Sequence, residues 1–195
     1  MNRDQLFTLF ERARQLSGHD DFVVIGSLSV LGLEDGGPIP DEMSMSIDVD
    51  CYTRADPDRV FDLAAPLGEY STFHVEHGYY LDPVSPKLPS LPDGWEARLN
   101  KDERNGLRIW FLDPDDAAIS KYARGEPRDL RWIRAGILSG LVSLPTVRSR
   151  IGSTSFLDDE EARRARAQID ADAAWFATIS KRRTKRARHD DPAGR

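Results

Sequence analysis

Asp21–Ser27 reads DFVVIGS and Met45–Cys51 reads MSIDVDC. Whether these two stretches form one unit decides the fold. Phe22–Ile25 is a short apolar run suited to a buried strand, and Gly26-Ser27 closes it. A glycine after a strand lets the backbone turn tightly and come close to a ligand. A helix beginning at Ser27 turns its free N–H groups and positive dipole end outward, and the Ser27 hydroxyl adds one more donor. The second stretch alternates with period two, so Asp48 and Asp50 project to one face of a strand. Met45, Ile47, Val49 and Cys51 are then expected on the opposite, core-facing side. Two neighbouring carboxylates repel one another unless a cation neutralises them. A divalent cation does so while clamping phosphoryl oxygens, and Mg²⁺ (or Mn²⁺) is the usual guest of oxygen ligands beside phosphates. Each motif also has a plainer reading: a strand-to-helix turn capped by Ser27, and a half-exposed strand with a polar face.

Working outward, residues 2–17 place Leu6, Phe7, Phe10, Ala13 and Leu16 at helical spacing, with Gly18 as the stop. Residues 27–33 read as a short helix and 34–42 as a flexible loop rich in Gly, Pro and acids. Asp56 and Pro57 open a helix to Leu67. Phe73–Val75 and Gly78–Leu81 read as two strands joined by a turn, so the two imidazoles of HVEH, His74 and His77, are separated and poorly placed for a metal. Residues 83–95, PVSPKLPSLPDGW, form an irregular proline-rich crossing in which Trp95 and Arg98 pack and orient the loop. Leu107–Leu112 is a further strand. DPDD at 113–116 is a strong helix start, with Asp113 as cap and acids in the first turn. That helix ends near Arg124, where Gly125 and Pro127 break it. Helices follow over about 128–138, 145–150 and 158–181. The order of elements predicts an α+β fold: a small mixed sheet flanked by helices, with a helical C-terminal region. In units, 1–112 is the α/β core, 113–180 a helical region packed on it, and 181–195 a basic tail expected to be disordered.

With 195 residues the chain can bury a sizeable core. It is 39% apolar and 31% charged, polar for a folded domain but short of a disordered profile. No apolar run approaches the ~18 residues of a membrane span, so no membrane partner is expected. The N-terminal segment reads as a helix rather than a signal peptide, and a cytoplasmic location is the default expectation. The single cysteine, Cys51, excludes an intramolecular disulfide and a Cys-based zinc site. The net charge of −6 conceals an asymmetry, because residues 181–195 hold seven Lys/Arg against two Asp. The remaining 180 residues hold 20 basic against 31 acidic side chains, a net −11. An acidic body with a basic end points to a polyanionic partner at that end.

Taken together, FVVIGSLSVLG, SMSIDVDCYTR, FHVEHGYYLDPVSP, LPDGWEARL and LDPDDAAISKYARGEPRDLRWIRAGILSGLV resemble a bacterial nucleotidyltransferase-like family, domain of unknown function 6036. That family is similar to the DNA polymerase β-like nucleotidyltransferases and related to the toxins of abortive-infection toxin–antitoxin pairs. The resemblance covers about residues 1–150. It implies that Asp48, Asp50, Lys121 and Asp129 are catalytic and that Gly26, Ser27 and Lys121 hold a nucleoside triphosphate. It implies that Asp129 either orients Lys121 or acts as a base toward the acceptor. Many members of the wider superfamily carry a third metal-binding carboxylate on a later strand. Asp82 is the nearest candidate here, with Glu76 behind it. His74 is a candidate for positioning a base or phosphate. The family's stretch after the lysine usually has an Arg directly before the Glu, where this chain has ARGEPRD with Pro127.

The expected activity is therefore Mg²⁺-dependent transfer of a nucleoside monophosphate from an NTP to a hydroxyl of RNA, such as tRNA, or of a protein, with an antitoxin as a further partner. The alternative is a non-catalytic nucleotide- or partner-binding module on the same fold.

Overall fold

The computed structural model describes residues 1–33 and 37–189, with side chains described as far as Lys181. Helix α1 (Arg3–Ser17) opens with a reciprocal cap, in which the Asn2 side chain accepts from the Gln5 N–H and the Gln5 side chain accepts from the Asn2 N–H. It buries Leu6, Leu9, Phe10 and Ala13, the i, i+3, i+4, i+7 stripe of an amphipathic helix, and ends at Gly18. Strand β1 (Asp21–Val24) follows, then a 3₁₀ turn over Ser27–Gly32 and one turn of helix α2 (Asp41–Ser44). Part of the expected loop, residues 34–36, lies outside the described residues, and its end is helical rather than irregular.

Strand β2 (Asp48–Thr53) leads into a 3₁₀ segment, Pro57–Leu63, which runs on as α3 (Ala64–Leu67). The Asp56 side chain makes no cap bond, contrary to expectation. Next comes α4 (Thr72–His77), where the sequence reading placed a strand. The Ser71 hydroxyl accepts from the His74 N–H at one end and Gly78 takes the left-handed conformation at the other, and these two caps outweigh the extended tendency of Phe73 and Val75. Strand β3 is Tyr80–Pro83, β4 is Asn100–Arg104 and β5 is Leu107–Phe111. Helices α5 (Pro114–Arg124), α6 (Pro127–Ser139), α7 (Leu144–Arg150) and α8 (Asp159–His189) complete the chain. The last runs past Lys181, so the first part of the basic end continues the helix. Residues 190–195 lie outside the described residues.

The five strands form one mixed sheet in the order β3-β2-β1-β5-β4. β1 is antiparallel to β2 and parallel to β5, while β2 is parallel to β3 and β4 antiparallel to β5. Central β1 buries Phe22, Val23 and Val24 whichever way they point, as a strand covered on both faces must. Phe22 meets Phe10 of α1 with ring centroids 4.8 Å apart. A single apolar core runs from α1 through the sheet into α5, α6 and the first turns of α8.

The alternation in β2 begins at Asp48. Val49 and Cys51 are buried, but Met45 and Ile47 precede the strand and are 72% and 49% exposed, so they do not join the core as expected. The C-terminal helices are tied by polar contacts. Buried Asp172 of α8 accepts from the Tyr122 hydroxyl of α5 (3.0 Å) and from Arg134 of α6 (2.9 Å). Arg98 donates to buried Asp116 (2.8 Å) and to the Asp93 carbonyl (3.2 Å), fastening the crossing loop to α5.

Candidate active site

The register of the sheet brings Gly26, Asp48, Asp50 and Asp82 together. Val24 pairs with Cys51 and the Ile25 N–H donates to the Asp50 carbonyl at 2.9 Å, so the chain leaves β1 beside Asp50. Gly26 has φ 67° and ψ −156°, a conformation essentially confined to glycine. A Cβ there would lie 1.9 Å from Asp50 Oδ2. Ser27 does not cap the following turn. Its hydroxyl instead lies 3.0 Å from Lys121 Nζ, which donates to it.

β3 runs parallel to β2 with Asp48 opposite Tyr80 and Asp50 opposite Asp82. In register and on one face, Asp48, Asp50 and Asp82 present carboxylate oxygens that all lie within 4.8 Å of one another. The Ser46 hydroxyl donates to Asp48. Burial, then the charges of Asp48 and Asp82, push the Asp50 carboxyl up to about 6. Asp82 is raised as well, by its own burial and by Asp48 and Glu69. Three carboxylates held in mutual repulsion, with oxygen as the sole donor atom, fit a hard divalent cation such as Mg²⁺ or Mn²⁺. Glu76 is exposed on α4 and is not in the cluster.

The positive counterpart comes from the C-terminal half. Lys121 of α5 is 4% exposed and Asp129 of α6 is 1% exposed. Lys121 Nζ lies 3.5 Å from Asp129 Oδ1, and Arg124 binds both Asp129 oxygens, at 2.7 and 2.6 Å. Burial pulls the Lys121 ammonium below its ordinary range, against the opposing pull of Asp129. Burial alone would raise Asp129, but the Arg124 hydrogen bonds and the Lys121 and Arg124 charges hold it below the usual carboxylate range. A buried carboxylate so paired is a poor base and a good anchor. The geometry favours the orienting role over the base role. Arg124 was not anticipated from sequence. It lies in the last turn of α5, two residues before Glu126.

Trp132 locks the arrangement. Its indole Nε1–H donates to the carbonyls of Ser27 (3.2 Å) and Met43 (3.1 Å), and its ring faces Lys121 Nζ at 4.9 Å. A cleft of about 300 Å³ opens where these parts meet, lined by Gly26, Asp50, Lys121 and Arg124 among others. His74 is not in its lining. The His74 ring accepts from the Tyr70 N–H (3.0 Å) and lies tilted against Tyr80, 4.7 Å between centroids, the residue that pairs with Asp48. Of the other tryptophans, Trp110 packs under the Arg54 guanidinium at 3.8 Å and donates to Asp21, and Trp175 packs under Arg134 at 5.1 Å. Cys51 is fully buried and its thiol is pushed well above its ordinary range, chiefly by that burial.

A family model described as "Nucleotidyltransferase of unknown function (DUF6036)" matches residues 4–183. The chain belongs to that family. No match was found among curated proteins or among solved structures.

Proposed function

We propose that this nucleotidyltransferase family member transfers a nucleoside monophosphate from an NTP to a hydroxyl of RNA or protein, releasing pyrophosphate. The observation that carries the reading is the placement of an acid cluster (Asp48, Asp50, Asp82) and a buried lysine (Lys121) on the two sides of Gly26-Ser27. A triphosphate needs positive charge and backbone N–H groups at its oxygens, and a divalent cation needs carboxylates beside them.

Asp48, Asp50 and Asp82 hold the cation. When bound, Mg²⁺ neutralises triphosphate charge and polarises the phosphoryl oxygens in displacement. Gly26 has no side chain, so phosphate oxygens can approach the backbone next to Asp50. The Ser27 hydroxyl and the Lys121 ammonium act as donors to the triphosphate, and the exposed N–H groups of Arg124 add a second positive group at the cleft. Asp129 keeps Lys121 and Arg124 in place. The acceptor hydroxyl gives up its proton to solvent water as its oxygen bonds to the α-phosphorus, the bond to the α–β bridging oxygen breaks, and pyrophosphate leaves with that electron pair. Such a reaction is carried mostly by positioning and charge. The basic end of the chain favours an RNA acceptor through its phosphates.

The test is incubation with Mg²⁺, α-³²P-labelled NTP and either tRNA or protein acceptors. Label transfer with pyrophosphate release is expected, abolished in Asp48→Ala, Asp50→Ala and Asp82→Ala. An intact protein that binds no Mg²⁺-NTP overturns the reading. Nucleotide binding without pyrophosphate release supports a non-catalytic module instead.

A further inference from the structure

The acid cluster has two flanks. Sheet order sets β1, with Gly26-Ser27 at its end, along one side of β2 and β3 along the other. The groups assigned to the triphosphate stand on the β1 flank. In a displacement at phosphorus the attacking and leaving oxygens lie roughly in line, on opposite sides, so the β3 flank is the one left for an acceptor. Tyr80 pairs with Asp48 there and, two residues before Asp82, shares the face of the acids. Burial, then the charges of Asp48, Glu69 and Asp82, push the Tyr80 phenol up to about 12, so it stays protonated beside them.

Tyr80 is the inner end of a row of rings. His74 lies against it with 4.7 Å between centroids, and Tyr70 lies beyond His74 at 6.3 Å. Tyr80 and His74 are half-buried, whereas Tyr70 is 82% exposed. Tyr70 also takes φ 63°, in the left-handed region that a bulky side chain seldom enters. Its N–H donates to the His74 ring at 3.0 Å, one residue before Ser71 caps α4. The fold thus holds an aromatic ring out in solvent through an unfavourable backbone conformation, with no burial in exchange. Such positions gather at binding and active sites.

Resting on the nucleotidyl-transfer reading above, we propose that this row of rings is the acceptor site and that it takes the unpaired 3′ end of an RNA strand. Aromatic rings stack on unpaired bases of any sequence. The surrounding charge selects the end of the strand. Glu69 and the three aspartates make this flank acidic, which opposes a phosphate chain lying across it. A 3′ terminus carries no phosphate beyond its last hydroxyl, so its base and ribose enter first and its phosphates trail toward solvent. Tyr70 stacks on a base near the terminus, and Tyr80 and Asp48 flank the path of the 3′-hydroxyl. The hydroxyl so placed is the acceptor of the displacement at the α-phosphorus. Tyr70 and His74 bind the acceptor and do not touch the triphosphate.

Fluorescence anisotropy on the full chain, with Mg²⁺ and at one salt concentration, tests this. The probes are a 5′-labelled single-stranded RNA of about eight nucleotides and the same strand in a blunt duplex. The single strand is expected to bind roughly ten-fold more tightly than the duplex. Tyr70→Ala is expected to lose single-strand affinity by roughly ten-fold, and Tyr70→Phe, which keeps the ring, to retain it. Mg²⁺-NTP affinity is expected to match the wild type in both. Duplex and single strand bound alike, or wild-type RNA affinity in Tyr70→Ala, overturns the acceptor site and leaves the NTP site standing. Label transfer to a protein acceptor that falls in Tyr70→Ala, with no RNA bound, overturns RNA as the occupant. Tyr70-dependent RNA binding by a chain that binds no NTP upholds the strand-end site and overturns nucleotidyl transfer. Should Tyr70→Ala fail to fold, Tyr70→Gly removes the ring at a backbone conformation glycine adopts freely.

Discussion

Gly26 stands against Asp50 so closely that a methyl group on its Cα would sit 1.9 Å from a carboxylate oxygen. The strand end and the acid cluster are thus one object, not two adjoining ones. Gly26→Ala must both displace Asp50 and hold a non-glycine residue in a glycine-only conformation, which costs of order 1–3 kcal/mol. The expected outcome is a lower denaturation midpoint together with loss of nucleotidyl transfer, read by urea titration and by label incorporation. A fully active Gly26→Ala would show that the tight approach is dispensable.

The acid cluster makes stability depend on pH. Asp50 titrates at about 6 in the folded chain, above the ordinary 3.8. A carboxyl raised on folding stabilises the native state below its unfolded value, and that contribution is lost as pH rises through the folded value. Wild type is therefore expected to lose up to about 3 kcal/mol between about pH 4 and 6 relative to Asp50→Asn. Lowered groups such as Asp129 act in the opposite sense, so the difference between the two proteins is the quantity to follow. Adding Mg²⁺ at neutral pH is expected to raise the melting temperature of wild type and leave Asp50→Asn unmoved.

Lys121 and Asp129 are predicted to separate binding from stability. Asp129→Asn leaves Lys121 and Arg124 facing each other with no counter-charge, and breaking a buried pair in this way costs about 3–5 kcal/mol. Lys121→Met removes a buried ammonium while Arg124 still satisfies Asp129, so the melting point changes less. Both variants are expected to bind Mg²⁺-NTP more weakly. Denaturation curves alongside NTP titrations check the pair, and equal destabilisation would contradict the assigned roles.

Trp132→Phe keeps a ring under Lys121 and removes the indole N–H shared by the Ser27 and Met43 carbonyls. A stability loss of about 1–3 kcal/mol is expected from the unsatisfied groups. Because Ser27 is then free to shift, kcat is expected to fall more than KM rises. A variant with wild-type kcat and lowered stability would make Trp132 structural only.

Gly26-Ser27 and Asp48/Asp50 were legible because short-range rules govern them: a glycine after an apolar run, and two acids on one face of a strand. Asp113 capping α5 was legible for the same reason, and its carboxylate accepts from the Asp115 and Asp116 N–H groups at 3.0 and 3.3 Å. Asp82 could be named only as a candidate, since its place in the cluster depends on β3 lying parallel to β2. Strand β4 was missed because its sequence, NKDER, carries no apolar alternation. Asp102 alone is buried there, under Arg3 at 2.7 Å. HVEH was misread because capping by Ser71 and Gly78 decides it, not the propensity of the residues between. Arg124 went unnoticed because its partner lies across the turn between α5 and α6.

Opposite Asp50, β3 offers Asp82, and the side-chain period of a strand is two. A slip of one residue between β2 and β3 would send Asp82 to the other face of the sheet. The three acids therefore meet in the native alignment and not in one slipped by a single residue. Without a cation, that alignment carries the greatest repulsion. A divalent cation bound there would offset that repulsion and favour the alignment that creates the cluster.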